Sequence, residues 1–424
     1  MSTGKRKRLN TTLGFYSPSF LRMHVGTNKS LQNLNTLNDP YWEAIYLHEY
    51  VHFIQDVTTA YGLANIGIIT DYMRFVNNDV LKSSPGPFQV PVLPVPNGSD
   101  NVDANLRLQR AYNGTGEDDN VTLLAHSKAQ HTVSSASRPL PLDLIEVSYR
   151  DSSGSAQTFE FGGLCVVESM AYLVERACYP SSPASPDLPY SSAEKLVQLI
   201  HPPLAADPLN ILALCDVSLM QYHPGFVFYE TLIRIKTQGI TITKPEDLYG
   251  IAMSTINPWP PMPQATAHAI SKLRGYFNHP FFDPVKDWID RVFNNALAVR
   301  QNNPTFVLDL ARGGPLANNP TFRQFLTNVG TPLVTNALDD ATLHDPFLPA
   351  GTNPHYSLLW AIDQVHSIFW GSQTSCAMVG HCCAGKIAVD SRCSLEPWER
   401  AADTSPCPFG QVWAHWGLTG YYPS

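Results

Sequence analysis

Residues 48–52 form a His-Glu-x-x-His pattern inside a run that is otherwise uncharged from residue 44 to residue 55. Apolar residues dominate this run, which predicts a helix that is largely buried. His48 and His52 are four residues apart and therefore lie on one face of that helix, one turn from each other. Burying two imidazoles and the carboxylate of Glu49 is costly unless these groups are paired or bound to a metal ion. The pattern therefore predicts that both histidines bind one metal ion and that Glu49 polarises a metal-bound water.

The helix that carries this pattern has a clear start in the sequence. Asn38 and Asp39 are capping residues, and Pro40 follows at a position that suits the first turn of a helix. Neither proline nor glycine interrupts the chain from Tyr41 to Thr58. The alternative interpretation is a core helix whose histidines make ordinary hydrogen bonds.

A catalytic zinc site needs a third protein ligand and leaves one position open for water. The metzincin pattern is excluded because it requires glycine and histidine at the positions of Gln55 and Thr58. The best candidate for the third ligand is Glu168, the only ionised residue between Gly162 and Val174. Its rival is Asp71, which is closer in sequence to the two histidines.

Glu168 belongs to a Glu-x-x-Ala sequence, and the small Ala171 would let two helices approach closely. In this helix and in the His-Glu-x-x-His helix, the chain resembles the gluzincin zinc metallopeptidases. The resemblance covers little of the chain beyond these two helices. The resemblance implies that Glu49 is the catalytic base and that zinc is held by His48, His52 and Glu168.

The chain departs from the gluzincin pattern at two points. Many gluzincins have an aspartate four residues after the ligand glutamate, where it orients a ligand histidine; this chain has Tyr172 there. Glu175 and Asp216 are the candidates for that orienting role. The gap between His52 and Glu168 is also long for the class.

Hydrolysis of a peptide bond creates an oxyanion, which a donor near the metal stabilises. In gluzincins, a tyrosine or histidine downstream of the third ligand supplies this donor. His223 lies in a turn, Tyr222 to Gly225, and we predict that it has this role. Tyr229 is the next option.

The sequence therefore predicts a zinc-dependent metallopeptidase, a hydrolase in which a metal-activated water attacks a peptide bond. Its cofactor would be Zn²⁺, and its partner would be a peptide or protein substrate. Two alternatives stay open: a zinc hydrolase that acts on other bonds, and a non-catalytic interaction protein in which the helix is structural.

The composition narrows the class of protein further. A net charge of −8 argues against a general nucleic-acid binder. The basic segment Lys5–Arg8 is not followed by the apolar stretch of a signal peptide, so we expect a cytoplasmic protein. No apolar run approaches the roughly 20 residues of a membrane span.

The expected fold is α+β and predominantly α-helical: a zincin-like catalytic core with a small β element and an additional helical C-terminal part. We expect a catalytic domain at 1–300, with a loop-rich insertion at about 83–140. A helical region rich in cysteine and tryptophan, at 301–424, would pack on it. A β-hairpin between residues 145 and 161 is expected to lead directly into the Glu168 helix.

Cysteines are concentrated near the C-terminus, with two histidines close to them in sequence. No Cys-x-x-Cys pair is present, so we favour free thiols, with a structural zinc site as the alternative. The residues concerned are Cys376, Cys382, Cys383, Cys393 and Cys407, together with His381 and His415.

Overall fold

The computed structural model describes residues 13–32, 37–93, 100–133, 139–182, 184–348, 356–372 and 374–424. The basic segment Lys5–Arg8 lies outside these residues. The fold is α+β and predominantly helical, which confirms the expected class.

The longer helices surround one continuous apolar core. In chain order the described helices are α1 (Pro40–Thr58), α2 (Ala60–Val80), α3 (Asp100–Asn113), α4 (Gly163–Cys178), α5 (Asp187–Tyr190), α6 (Ser192–Ile200), α7 (Pro208–Ser218), α8 (Pro224–Gln238), α9 (Asp247–Thr255), α10 (Met262–Tyr276), α11 (Asp283–Asn302), α12 (Phe306–Arg312), α13 (Pro320–Asn328), α14 (Tyr356–Phe369), α15 (Val379–Ala384), α16 (Arg392–Leu395) and α17 (Pro408–His415).

The described strands form three small sheets. They are β1 (Gly14–Ser17), β2 (Arg22–Val25), β3 (Pro87–Phe88), β4 (Thr122–Val133), β5 (Leu140–Arg150), β6 (Ala156–Glu160), β7 (Leu333–Asn336), β8 (Ala341–Thr342) and β9 (Tyr422–Pro423).

One sheet has the strand order β1-β2-β7-β8, so β1 is an edge strand among the described residues. Strands β1 and β2 form an antiparallel hairpin in which Phe15 is opposite His24. Strand β2 then pairs in parallel with β7, with Met23 opposite Val334. This sheet therefore joins residues from before and after position 300, while the division of the chain at that position stays a prediction.

A second sheet leads into α4. Strands β5 and β6 form the predicted antiparallel hairpin, with Val147 opposite Phe159. Helix α4 begins at Gly163, where an added Cβ would lie 2.2 Å from the hydroxyl of Tyr61 on α2. The glycine therefore allows the start of α4 to lie against α2, and α4 then packs along α1.

The segment 83–140 contains more regular structure than the sequence suggests. Its described residues include helix α3 and strand β4, and β4 pairs antiparallel with β5 along its length. The described part of this segment therefore contains a helix and a long strand beside its loops, and its role as an insertion stays a prediction. None of the side chains of β4 is fully buried, so this strand lacks the strong apolar alternation that marks a half-buried strand in a sequence.

None of the described helices combines the length and the apolar content that a membrane crossing needs.

Candidate metal centre

Helix α1 carries the His-Glu-x-x-His pattern into the core. Asp39 caps its first turn by accepting a hydrogen bond from the backbone N–H of Tyr41, at 3.2 Å, and Pro40 is its first residue. This start confirms the one read from the sequence. His48, Glu49 and His52 are all buried, with 6–8% of their surface exposed.

The two histidines and Glu168 converge on one point. The Nε2 atoms of His48 and His52 lie 3.4 Å and 3.2 Å from the same oxygen, Oε2 of Glu168. One ligand atom from each residue lies within 4.8 Å of the others. Glu168 reaches this position because α4 packs against α1, where Ala171 is fully buried.

The remaining ring nitrogens are also fixed. Nδ1 of His48 lies 3.0 Å from Oε2 of Glu175, and Nδ1 of His52 lies 2.8 Å from Oε1 of Gln55. Both oxygens are acceptors, so each Nδ1 carries the hydrogen and donates it. In the neutral ring this leaves the lone pair on Nε2, which is the atom that points to Glu168.

The buried groups perturb one another strongly. Burial acts to lower the pKa of His48, but its contacts with Glu168 and Glu175 raise that pKa well above the ordinary value. Burial acts in the opposite sense on Glu168, yet His52 and His48 hold the pKa of its carboxyl well below the usual range. For Glu49, burial prevails over the two histidines and raises its pKa to about 7. The buried cluster therefore brings three carboxylates close to two imidazoles. A bound cation would balance the negative charge of these carboxylates.

The donor set fits a divalent zinc ion. Two imidazole nitrogens and one carboxylate form the ligand set of known catalytic zinc sites, which keep a further position for water or substrate. Gln55 is itself held by a hydrogen bond from its side-chain nitrogen to the carbonyl of Val167 on α4, at 2.9 Å. Glu175 and Gln55 therefore orient the rings before any ion binds, as outer partners of metal ligands do.

Strand β1 passes beside Glu49. A Cβ built on Gly14 would lie 3.1 Å from Oε1 of Glu49 and 2.8 Å from Cγ2 of Ile45, one turn earlier on α1. Two residues further along β1, the ring of Tyr16 is stacked near His52, with centroids 6.5 Å apart. The edge strand thus borders the carboxylate and one of the histidines.

Tyr190 lies next to His48. Its ring centroid is 5.7 Å from that of His48 and 6.0 Å from that of Tyr172. Burial, followed by the charges of Glu168 and Glu49, raises the pKa of its hydroxyl, which therefore stays protonated and able to donate. The ring of Tyr172 therefore packs against that of Tyr190.

Two predicted alternatives lie elsewhere. Asp71 accepts hydrogen bonds from Nζ of Lys272, at 2.8 Å and 2.7 Å, and it is not in the group of converging ligand atoms. Asp216 is held by the guanidinium of Arg300, at 2.8 Å, and by the hydroxyl of Tyr249. Glu175 therefore contacts His48, whereas Asp216 forms a buried ion pair with Arg300.

The predicted oxyanion donors also make other contacts. His223 donates from Nε2 to the main-chain oxygen of Asp143, at 2.8 Å, and its ring lies 4.6 Å from that of Tyr112. The hydroxyl of Tyr229 lies 2.9 Å from Nδ1 of His126 on β4. The contacts of His223 and Tyr229 are therefore with residues outside the His48, His52 and Glu168 group, whereas the ring of Tyr190 lies next to His48.

The sequence reasoning missed Gln55 and Tyr190. Gln55 was considered only as the residue that breaks the metzincin pattern, although it lies three residues after His52 and so on the same helix face. Tyr190 follows Glu168 by more than twenty residues and belongs to a helix of four residues, α5, so no periodic pattern marked it.

Comparison of the chain with protein-family models, with curated proteins and with solved structures found no match. The case for a metal centre therefore depends on the geometry and chemistry of the residues themselves.

Proposed function

We propose that this protein is a zinc-dependent metallopeptidase in which His48, His52 and Glu168 hold the ion and Glu49 is the general base. The observation that carries the proposal is the convergence of two Nε2 atoms and one carboxylate oxygen within 4.8 Å, in a buried site. Glu49 lies on the same helix, between the two histidines, as a base acting on a metal-activated water requires.

The residues of the chain divide the chemistry among them. When bound, zinc would lower the pKa of a water and polarise the substrate carbonyl. Glu49 would accept a proton from the attacking water and pass it to the leaving amine. Glu175 and Gln55 would keep the two imidazoles in the tautomer that leaves Nε2 free.

A peptide substrate is supported by strand β1. A strand at the edge of a sheet can bind an extended peptide as an additional strand, and β1 is at the edge of its sheet among the described residues. Because Gly14 of β1 lies against the carboxylate of Glu49, a peptide alongside this strand would present its carbonyl groups near the base. A hydrolase for small, non-extended substrates has no such need for an edge strand.

Tyr190 is the residue that we infer to donate a hydrogen bond to the oxyanion. Its ring lies against His48, on a short helix that is separate from both ligand helices. A protonated phenol can donate to an oxygen that gains negative charge during the reaction.

The direct test compares two glutamates on α1. Glu49→Gln should retain zinc, measured by elemental analysis after dialysis, and lose the cleavage of a mixed peptide library by at least about 100-fold. Glu43→Gln is the matched control. Glu43 is on the same helix but accepts a hydrogen bond from the hydroxyl of Tyr179, at 2.8 Å, so this variant should keep full activity. Wild-type cleavage should disappear with a chelator and return with zinc. Full activity of Glu49→Gln would exclude the proposed mechanism.

A further inference from the structure

Four of the late cysteines line one small cavity in the C-terminal region. Each comes from a different piece of chain: the segment before α15, α15 itself, α16 and the capping position of α17. They are Cys376, Cys382, Cys393 and Cys407, all of them free thiols that are buried or partly buried.

The structure separates these four from the other residues that the sequence placed nearby. Cys383 is exposed. The ring of His381 lies 5.5 Å from that of Trp360, and the ring of His415 is stacked 4.1 Å from that of Phe281. Neither histidine lines the cavity, so the donor set is four sulfur atoms.

The size of the cavity suits a single ion. Its volume is about 10 Å³, roughly the space that one water-sized particle occupies. Apart from the thiols and Arg400, its lining is apolar, which does not suit a water molecule that needs several polar partners. Four thiolates around one small ion form a closed structural zinc site.

Arg400 provides a compensating charge. Its guanidinium is buried, and Nη1 lies 3.2 Å from Sγ of Cys393. Four thiolates and one divalent cation carry a net negative charge, which a neighbouring guanidinium would stabilise. Asp403 fixes the same side chain from the far side, by accepting a hydrogen bond from Nε at 2.6 Å.

The chain around the cavity is built from short pieces. Helix α15 has six residues and α16 has four, so these elements have little stability of their own. The main-chain N–H of Cys376 donates to the carbonyl of Cys393, at 2.9 Å, which already joins the first and third pieces. A cross-link through one ion would hold all four together, as metals do in small irregular domains.

We propose that Cys376, Cys382, Cys393 and Cys407 bind one zinc ion, as a structural site separate from the His48, His52 and Glu168 centre. Among the described residues, no three of these sulfur atoms lie within 4.8 Å of one another, so the proposal requires the thiols to turn toward the cavity when an ion binds. Each thiol gives up its proton to solvent on binding, and no electrons are transferred. The site does not depend on the proposed peptidase activity.

The zinc content of the purified full-length chain tests this proposal. Wild type should hold two zinc ions per chain, while Cys393→Ser/Cys407→Ser and His48→Ala/His52→Ala should each hold one. Cys383→Ser is the matched control and should hold two. If the cysteine pair can be replaced with no loss of zinc, the proposal is wrong, whatever happens to the histidine variant.

A second measurement covers the case in which the cysteine variant does not fold. His48→Ala/His52→Ala, loaded with Co²⁺, should show the intense near-ultraviolet absorption of thiolate-to-cobalt charge transfer. Absence of that absorption would overturn the proposal. So would mass spectrometry of the unreduced protein that finds these four cysteines joined as disulfides.

Discussion

The carboxylate of Glu175 lies 3.0 Å from Nδ1 of His48 and accepts its hydrogen. Glu175 follows Glu168 by seven residues, so both carboxylates lie on the same face of α4, two turns apart. One helix therefore supplies the proposed ligand oxygen and also the acceptor for Nδ1 of His48 on α1. In the gluzincins that the sequence resembles, an aspartate four residues after the ligand glutamate has this orienting role, whereas Glu175 lies seven residues after Glu168.

Removing the acceptor at position 175 should weaken metal binding. Glu175→Leu leaves Nδ1 of His48 without its partner, and we expect zinc affinity to fall by about 10–100-fold. Glu175→Gln keeps an acceptor oxygen and should lie between this variant and wild type. Competition with a chromogenic chelator measures both, and an unchanged affinity in Glu175→Leu would show that Glu175 does not orient the ring.

The close approach of β1 to the proposed base makes Gly14 sensitive to substitution. In Gly14→Ala the new Cβ would lie 3.1 Å from Oε1 of Glu49, so the carboxylate or the strand must shift. We expect activity to fall by up to about 100-fold, because small displacements of a catalytic group have large effects on rate. Zinc content should not change.

The matched control for Gly14→Ala is Gly250→Ala. No atom lies within 4 Å of the Cβ that this change adds on α9. It should leave the rate of peptide cleavage at the wild-type value. Equal activity in Gly14→Ala and Gly250→Ala would contradict the placement of Glu49 against the strand.

The hydroxyl of Tyr190 can be tested against the imidazole of His223 as the oxyanion donor. Tyr190→Phe keeps the ring that packs on His48 but removes the donor, so kcat should fall by about 100–1000-fold with KM and zinc content near wild type. His223→Gln should leave kcat within a few-fold of wild type. The reverse pattern in steady-state kinetics would return the oxyanion role to His223.

His223 should instead make stability depend on pH. Burial lowers its pKa to about 4 in the folded state, whereas the unfolded chain has the ordinary value of about 6.5. Between these values only the unfolded chain binds the proton. The contribution of neutral His223 to the free energy of unfolding is therefore complete above about pH 6.5 and is lost as the pH falls toward 4. Between pH 7 and pH 5 the loss is about 2 kcal/mol.

Urea unfolding of wild type and His223→Gln at both pH values isolates this contribution from those of the other titrating groups. The free energy of unfolding of wild type should fall by about 2 kcal/mol more than that of the variant. Equal losses in the two proteins would mean that His223 titrates in the folded state as it does in the unfolded chain.

Local patterns of the sequence predicted much of the centre. The spacing of His48 and His52 fixed their common helix face, and the cap at Asp39 fixed where that helix begins. The isolated carboxylate of Glu168 in an apolar helix was a usable signal, because a buried charge must meet a partner. Each inference used either the geometry of a single helix or the cost of burying a charge. In the structure the three residues lie together.

Contacts between elements distant in the sequence were harder to predict. In the sequence, Asp71 is the alternative to Glu168 as third ligand, and Asp216 is the alternative to Glu175 as orienting group. The packing shows that Lys272 meets Asp71 and that Arg300 meets Asp216. The position of Tyr190 depends on how a short helix folds back over α4. No propensity or spacing encodes such a contact, since tertiary packing alone determines it.

The central claim is that His48, His52 and Glu168 hold one zinc ion. Anomalous diffraction from crystals of the full chain grown with zinc, measured at the zinc absorption edge, tests it most directly. We predict a peak in contact with Nε2 of His48, Nε2 of His52 and the carboxylate of Glu168. A map with no peak there, or with a peak that contacts the histidines but not Glu168, would contradict the assignment.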